Sequence, residues 1–114
     1  MKQNLPEEVR FLVDLILEKK GEKVIVINVK EISPITDFVI IAEATVDRHI
    51  RAIGSYLIEK MKKKGHPPHR EEGLMQGGWA VIDFLDVMVH LFTPELREKY
   101  SLERLLEEGD FIQF

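Results

Sequence analysis

The sequence contains no cysteine, which excludes a disulfide framework, a thiolate nucleophile and any thiolate zinc site. No apolar run approaches the roughly 20 residues that a membrane-spanning helix needs. The N-terminal stretch MKQNLPEEVRF places acids where a secretory leader would begin its apolar region, so a soluble cytoplasmic protein is the expectation. Positive charge is also in deficit, with 16 Lys and Arg against 20 Asp and Glu and a net charge of −4. That sign is wrong for a domain held to nucleic acid mainly through phosphates, although it leaves room for a local basic patch. Neither a glycine-rich phosphate loop opening a helix nor a nucleophile elbow occurs.

The 114 residues, 45% hydrophobic and 32% charged, suit one domain (1–114) with a core that needs no disulfides. Asn4, Pro6 and Glu7 read as an N-cap, a proline at the second helical position and a capping-box acid. Val9, Leu12, Val13 and Ile16 then recur at helical spacing as far as about Lys20, where Gly21 supplies a stop. Lys23 to Val29 and Asp37 to Ala42 are short, apolar and rich in β-branched residues, as interior strands covered on both faces are. Asp37, at the start of the second, is either an active-site acid at a strand end or a residue that satisfies turn or helix-cap donors. Thr45 caps a helix from Val46 to Lys64 with Ile50, Ile53, Leu57 and Met61 on one face, closed by Gly65. This is an α/β order with helices packed on a sheet.

The stretch HPPHREEGLMQGG (66–78) is rich in turn residues, and within it Arg70 to Glu72 pairs at most as an edge strand. Trp79 to Phe92 is too long for one ordinary strand, and Asp83-Phe84-Leu85-Asp86 is the best place for a hairpin turn, with a long bent strand as the alternative because no glycine stands there. Pro94 starts a short helix to Tyr100, and Ser101 caps another from Leu102 to about Glu108. Two phenylalanines in the tail, Phe111 and Phe114, must pack somewhere or meet a partner.

Four chemistries were weighed. His66 and His69 flank two prolines, a loop that lacks the geometry of helical metal-binding pairs and has no third ligand nearby. His49 falls in the first turns of the second helix, where exposure is expected. Gly54-Ser55 with Asp83 and Asp86 invites comparison with nucleotidyl transfer, but carboxylates sharing one face of a strand sit two apart and these are three apart. Ser33, Ser55 or Ser101 with His90 and an acid offers a hydrolytic triad only arithmetically. The run Lys60, Lys62, Lys63, Lys64 with Arg70 is a local basic patch. It is either a solvated helix end that complements the dipole or a rim contact to RNA phosphates. No metal, cofactor or catalytic residue is expected.

What remains is Trp79, Asp83, Asp86, His90, Arg97, Tyr100 and Glu103, polar and aromatic groups in apolar surroundings. Unpaired polar groups are costly to bury. This set is therefore an internal hydrogen-bond and ion-pair network or a recognition surface of the hot-spot type.

The segments Trp79-Ala-Val-Ile-Asp83, Asp86-Val-Met-Val-His90-Leu-Phe92 and Arg97-Glu-Lys-Tyr100-Ser-Leu-Glu103-Arg-Leu resemble the signature of the ribosomal silencing factor family, also called the Iojap family. Thr36-Asp37-Phe38-Val39-Ile40 and Pro68 through Glu72-Gly73 resemble its other motifs in order, so the likeness runs from the first helix to Leu105. It implies a mixed sheet akin to that of nucleotidyltransferases but without their catalytic carboxylates. It also implies a non-enzymatic repressor that binds the large ribosomal subunit through its ribosomal protein fourteen. Bound there, it would block joining of the small subunit and lower translation when nutrients are scarce. Trp79, Asp83, Asp86, His90, Arg97, Tyr100 and Glu103 would then be partner-binding, and a homodimer of the free protein is compatible with this. A residual nucleotidyltransferase-like or nucleotide-binding protein is the rival reading. Three positions depart from the family pattern: Leu85 stands where glycine is usual, Leu106 replaces a frequent tryptophan, and Glu43 replaces a small residue. None of the three is expected to touch Trp79, Asp86, His90, Arg97 or Tyr100.

Overall fold

In the computed structural model, which describes residues 5–75 and 77–114, two strands without a polar face lie deep in a sheet. These are β1 (Glu22–Asn28) and β2 (Phe38–Glu43). With apolar groups on both sides, neither could face water, and both are flanked by other strands. The order is β3-β4-β5-β2-β1-β6, where β3 is Arg70–Glu72, β4 Trp79–Asp83, β5 Val87–Phe92 and β6 Asp110–Gln113. β2 runs parallel to β5 and the remaining pairs are antiparallel. The result is a mixed α/β fold.

The helices divide between the two faces. α1 (Glu7–Glu18) and α2 (Asp47–Lys63) cover the first, packing on Val26, Ile40, Val89 and Ile82. The short α3 (Pro94–Tyr100) and α4 (Leu102–Leu105) lie on the second, where Leu96, Leu102 and Leu106 meet Ile25, Ile27, Val39, Ile41 and Phe92. Such period-two alternation sends Ile82 to one face and Trp79 and Val81 to the other. Coverage of the second face stops short of β4 and β3. Val81, Met88 and His90 there are only half-buried.

The hairpin turns at Phe84-Leu85-Asp86, as expected. Without a glycine, Leu85 itself takes a φ of 77°, and the Asp86 N–H donates to the Phe84 carbonyl at 3.1 Å. An i→i+2 bond around a positive φ is the rarer, strained form of γ-turn. The α2 C-terminus closes as a Schellman motif, with Gly65 (φ 86°) donating to Lys62 O and His66 to Met61 O.

Several end assignments differ from expectation. Asn4 lies outside the described residues, and Pro6 occupies the N-cap position of α1 rather than a helical one. α1 ends at Glu18, two residues early. Val46, not Thr45, is the N-cap residue of α2, with no side-chain cap bond; the first-turn side chain that does bond back is that of His49. Its Nδ1 accepts from the Thr45 N–H at 3.2 Å, while its Nε2 donates to the Lys19 carbonyl at 2.8 Å. His49 is thus a half-buried stitch between two helix ends rather than an exposed residue. Ser101 turns its hydroxyl back to Glu98 O at 2.7 Å instead of capping α4, which ends at Leu105. The tail forms β6 along β1, burying Ile112 and leaving Phe111 and Phe114 exposed. No described helix is long and apolar enough to cross a membrane.

Candidate functional site

The antiparallel register places Trp79 opposite Phe92 and Val81 opposite His90, and all four side chains leave the sheet on the second face. Trp79 stacks on Phe92 with ring centroids 4.9 Å apart and meets the Tyr100 ring from α3 at 4.8 Å. Across the diagonal of the strand pair, its indole Nε1–H donates to His90 Nδ1 at 3.1 Å. An indole can only donate, so Nδ1 is unprotonated and the imidazole proton sits on Nε2. Burial pushes the His90 imidazole down from 6.5 to about 4, since the charged form loses water and gains no anion. At neutral pH the group is an uncharged aromatic with one hydrogen-bonding edge. Beside it lies a shallow depression of about 230 Å³, lined by Arg70, Glu72, Val81, Asp83, Met88 and His90.

The rest of the expected set does other work. Arg97, 8% exposed, donates from Nε to Glu103 at 2.9 Å and from Nη1 to the Lys23 carbonyl at 2.7 Å. The same Nη1 reaches the buried Glu43 carboxylate at 3.5 Å. Arg97 and Glu103 therefore form a network that pins α3 and α4 to the ends of β1 and β2. Glu43, expected to stand clear of the set, is part of it, adding a second and more deeply buried carboxylate to the Arg97 guanidinium beside Glu103. Asp83 is buried at the hairpin turn, its Oδ1 accepting from the Leu85 N–H at 2.8 Å and its Oδ2 lying 3.9 Å from Arg70 Nη2. The Asp86 carboxylate is exposed, whereas its carbonyl accepts from the N–H groups of both Asp37 and Phe38 at 3.1 Å and opens the parallel β2–β5 ladder.

The expected set divides in the structure, some members joining an internal ion-pair network and others an aromatic cluster on the second face. Trp79, His90 and Tyr100 come together with Phe92 as an aromatic cluster. Arg97 and Glu103 come together with Glu43. Val81, Met88 and Phe92 were missing from the expected site, although alternation about the turn would have placed them beside Trp79 and His90. Asp83 and Asp86 do not converge. Gly54 and Ser55 lie within α2 on the opposite face, with Gly54 buried and Ser55 exposed. Among the described residues no three His, Asp or Glu side chains group as a metal site, and His66 stands 3.6 Å from Glu8.

Residues 2–113 match the family described as "Ribosomal silencing factor during starvation". A ribosomal silencing factor from Halalkalibacterium halodurans is 35% identical over 107 residues, which cover 94% of this chain and 92% of that one. A mouse protein named "Mitochondrial assembly of ribosomal large subunit protein 1" is 32% identical over 86% of this chain, corresponding to 44% of its own length. A crystal structure from Bacillus halodurans superposes with a TM-score of 0.84 at 31% identity, covering 95% of this chain and 98% of that one. One from Chromobacterium violaceum, at 24% identity and a TM-score of 0.87 over 92% and 88%, shares the fold.

Proposed function

The chain belongs to the ribosomal silencing factor family, and on that footing we propose that it represses translation by occupying the large ribosomal subunit. In this reading it binds ribosomal protein fourteen of that subunit, blocks joining of the small subunit, and acts in the cytoplasm under nutrient limitation without catalysing a reaction. The observation that carries it is the uncovered end of the second sheet face, where Trp79, Val81, Met88, His90 and Tyr100 form an aromatic and apolar patch. Rigid aromatics on a sheet are efficient anchors, since few side-chain torsions are left to freeze on binding. The mouse relative's name points to the same subunit.

Exclusion of the small subunit needs volume rather than chemistry, and the scattered carboxylates fit that. The sheet is read here as nucleotidyltransferase-like with its catalytic acids absent. Asp83 is committed to a turn and Asp86 to solvent.

Co-sedimentation with isolated large and small subunits tests the proposal, together with light scattering during subunit joining. Wild type should pellet with large subunits alone and suppress joining. Trp79→Ala, with its fold verified by circular dichroism, should lose at least about tenfold in affinity, the loss of one aromatic hot spot. Wild-type protein that ignores large subunits would defeat the proposal.

A further inference from the structure

The basic patch legible in the sequence is not the one left free by the fold. Lys60 and Lys19 lie over the Tyr56 ring at 5.4 and 4.4 Å, and Lys64 over Phe11 at 4.1 Å. Lys63 pairs with Glu59 at 3.5 Å, and Arg70 stands beside Asp83. Of that run, Lys62 alone has a side chain with no ion pair, hydrogen bond or ring contact among the described residues. Two further cations of α2, Arg48 and Arg51, are likewise without partners among them.

These three share one stripe. At 3.6 residues per turn, Arg48, Arg51 and Lys62 fall within about 60° of each other around the helix and span about 21 Å along it. Lys60 and Lys64 fall on the other flank. Arg51 belongs to two adjoining grooves, one of about 1050 Å³ towards Arg48 and the other of about 570 Å³ towards Lys62 and β3. Carboxylates line them too: Asp47 and Glu95 the first, Glu59 and Glu71 the second. Of these, Glu59 is held by Lys63.

Arg48 stands in the first turn of α2, where the helix dipole disfavours positive charge, and Arg51 follows in the second. Neither has a hydrogen-bond or ion-pair partner among the described residues. Charges that break a local rule without internal compensation mark a surface shaped by something outside the chain. The stripe also borders the proposed docking face. β3 is the shared edge, with Glu71 lining the groove and Arg70 and Glu72 lining the depression beside Val81 and His90.

We infer that this flank of α2 grips ribosomal RNA phosphates while the aromatic face holds the protein partner; the inference rests on the large-subunit reading above. Nucleic acid carries a phosphate charge every few ångströms along its axis, so cations spread over this length meet several. They supply orientation and salt-dependent affinity rather than sequence recognition.

The test compares wild type with the triple variant Arg48→Gln/Arg51→Gln/Lys62→Gln, using large subunits across a potassium chloride series and, separately, isolated ribosomal protein fourteen. Each phosphate contact contributes about 0.7–0.9 to the slope of log affinity against log salt. The triple variant should therefore lose about two units of slope, and at least tenfold in affinity at low salt, on subunits. On the isolated protein it should match wild type. Lys60→Gln/Lys64→Gln, on the other flank, should retain more of the subunit slope than the triple variant. An unchanged slope in the folded triple variant would overturn the inference. So would an equal loss on the isolated protein, which would assign the cations to an acidic protein segment instead. Wild type that binds subunits but not the isolated protein would sink the choice of protein partner, and the salt slopes would still decide on the RNA contact.

Discussion

Arg97 and Glu43, 54 residues apart in sequence, meet at 3.5 Å beneath α3, where both are almost fully buried. The contact joins the end of a central strand to the helix that presents Tyr100 to Trp79. Removing one partner leaves the other charge without compensation in a place water barely reaches, which costs more than the pair itself contributes. Arg97→Met should destabilise the protein by about 3 kcal/mol, read from urea unfolding. Adding Glu43→Gln should restore at least about 1 kcal/mol, because an amide tolerates burial better than an unpaired carboxylate. A double variant no more stable than the single one would show that Glu43 is not coupled to Arg97.

The His90 imidazole gives stability a defined pH dependence. Its value is near 6.5 in the unfolded chain and about 4 in the fold, so between these limits the unfolded state binds more protons. Stability from this group is complete above about pH 6.5 and drains away as pH falls towards 4, by on the order of 2 kcal/mol. Urea midpoints followed by Trp79 fluorescence at pH 7 and 4.5 would measure it. His90→Gln, which retains an acceptor for the indole but does not titrate, should show a smaller drop between the two pH values.

Leu85 is held at a φ of 77° and is 58% exposed, so its side chain gives the hairpin little in return. The left-handed region costs an L-residue about 1–2 kcal/mol, and glycine removes that at some entropic expense in the unfolded chain. Leu85→Gly should therefore stabilise by about 0.5–1 kcal/mol with subunit binding unchanged, measured by thermal unfolding and co-sedimentation. A lower melting temperature would mean that Leu85 contributes packing missed by its exposure.

Gly73 fails in the opposite direction. Its φ is 88°, and a Cβ there would stand 2.1 Å from the Trp79 carbonyl oxygen, a backbone atom fixed by the sheet. Gly73→Ala should cost about 2–4 kcal/mol and shift Trp79 emission as β3 and β4 separate. An unaltered spectrum with native stability would contradict the placement of this turn.

The central strands were legible because VIVI and FVIIA are apolar on both sides, and the hairpin was the favoured reading because fourteen strand-like residues exceed an ordinary strand, although the glycine-free turn left a long bent strand open. β6 was not. Its four residues DFIQ bury one side chain, Ile112, and become a strand only when β1, more than 80 residues earlier, offers its edge. Helix ends were misassigned where local alternatives competed: the Thr45 N–H turned to His49 four residues on, and Ser101 bonded backwards to Glu98. The polar set of 79–103 was visible as a set, but its division was not. The Trp79–His90 contact follows from the exact register of the hairpin, and Glu43, the buried acid beside Arg97, lies 54 residues away.

The aromatic patch is the reverse side of strands that also carry the core, Val81 alternating with Ile82 and His90 with Val89. It cannot loosen while the sheet is intact, so docking should resemble two solids meeting. The heat capacity change on association would then report dehydrated surface alone, without the larger signature of a chain folding onto its target. On the proposed reading, a surface preformed in this way would leave abundance and competition to set its occupancy of the large subunit.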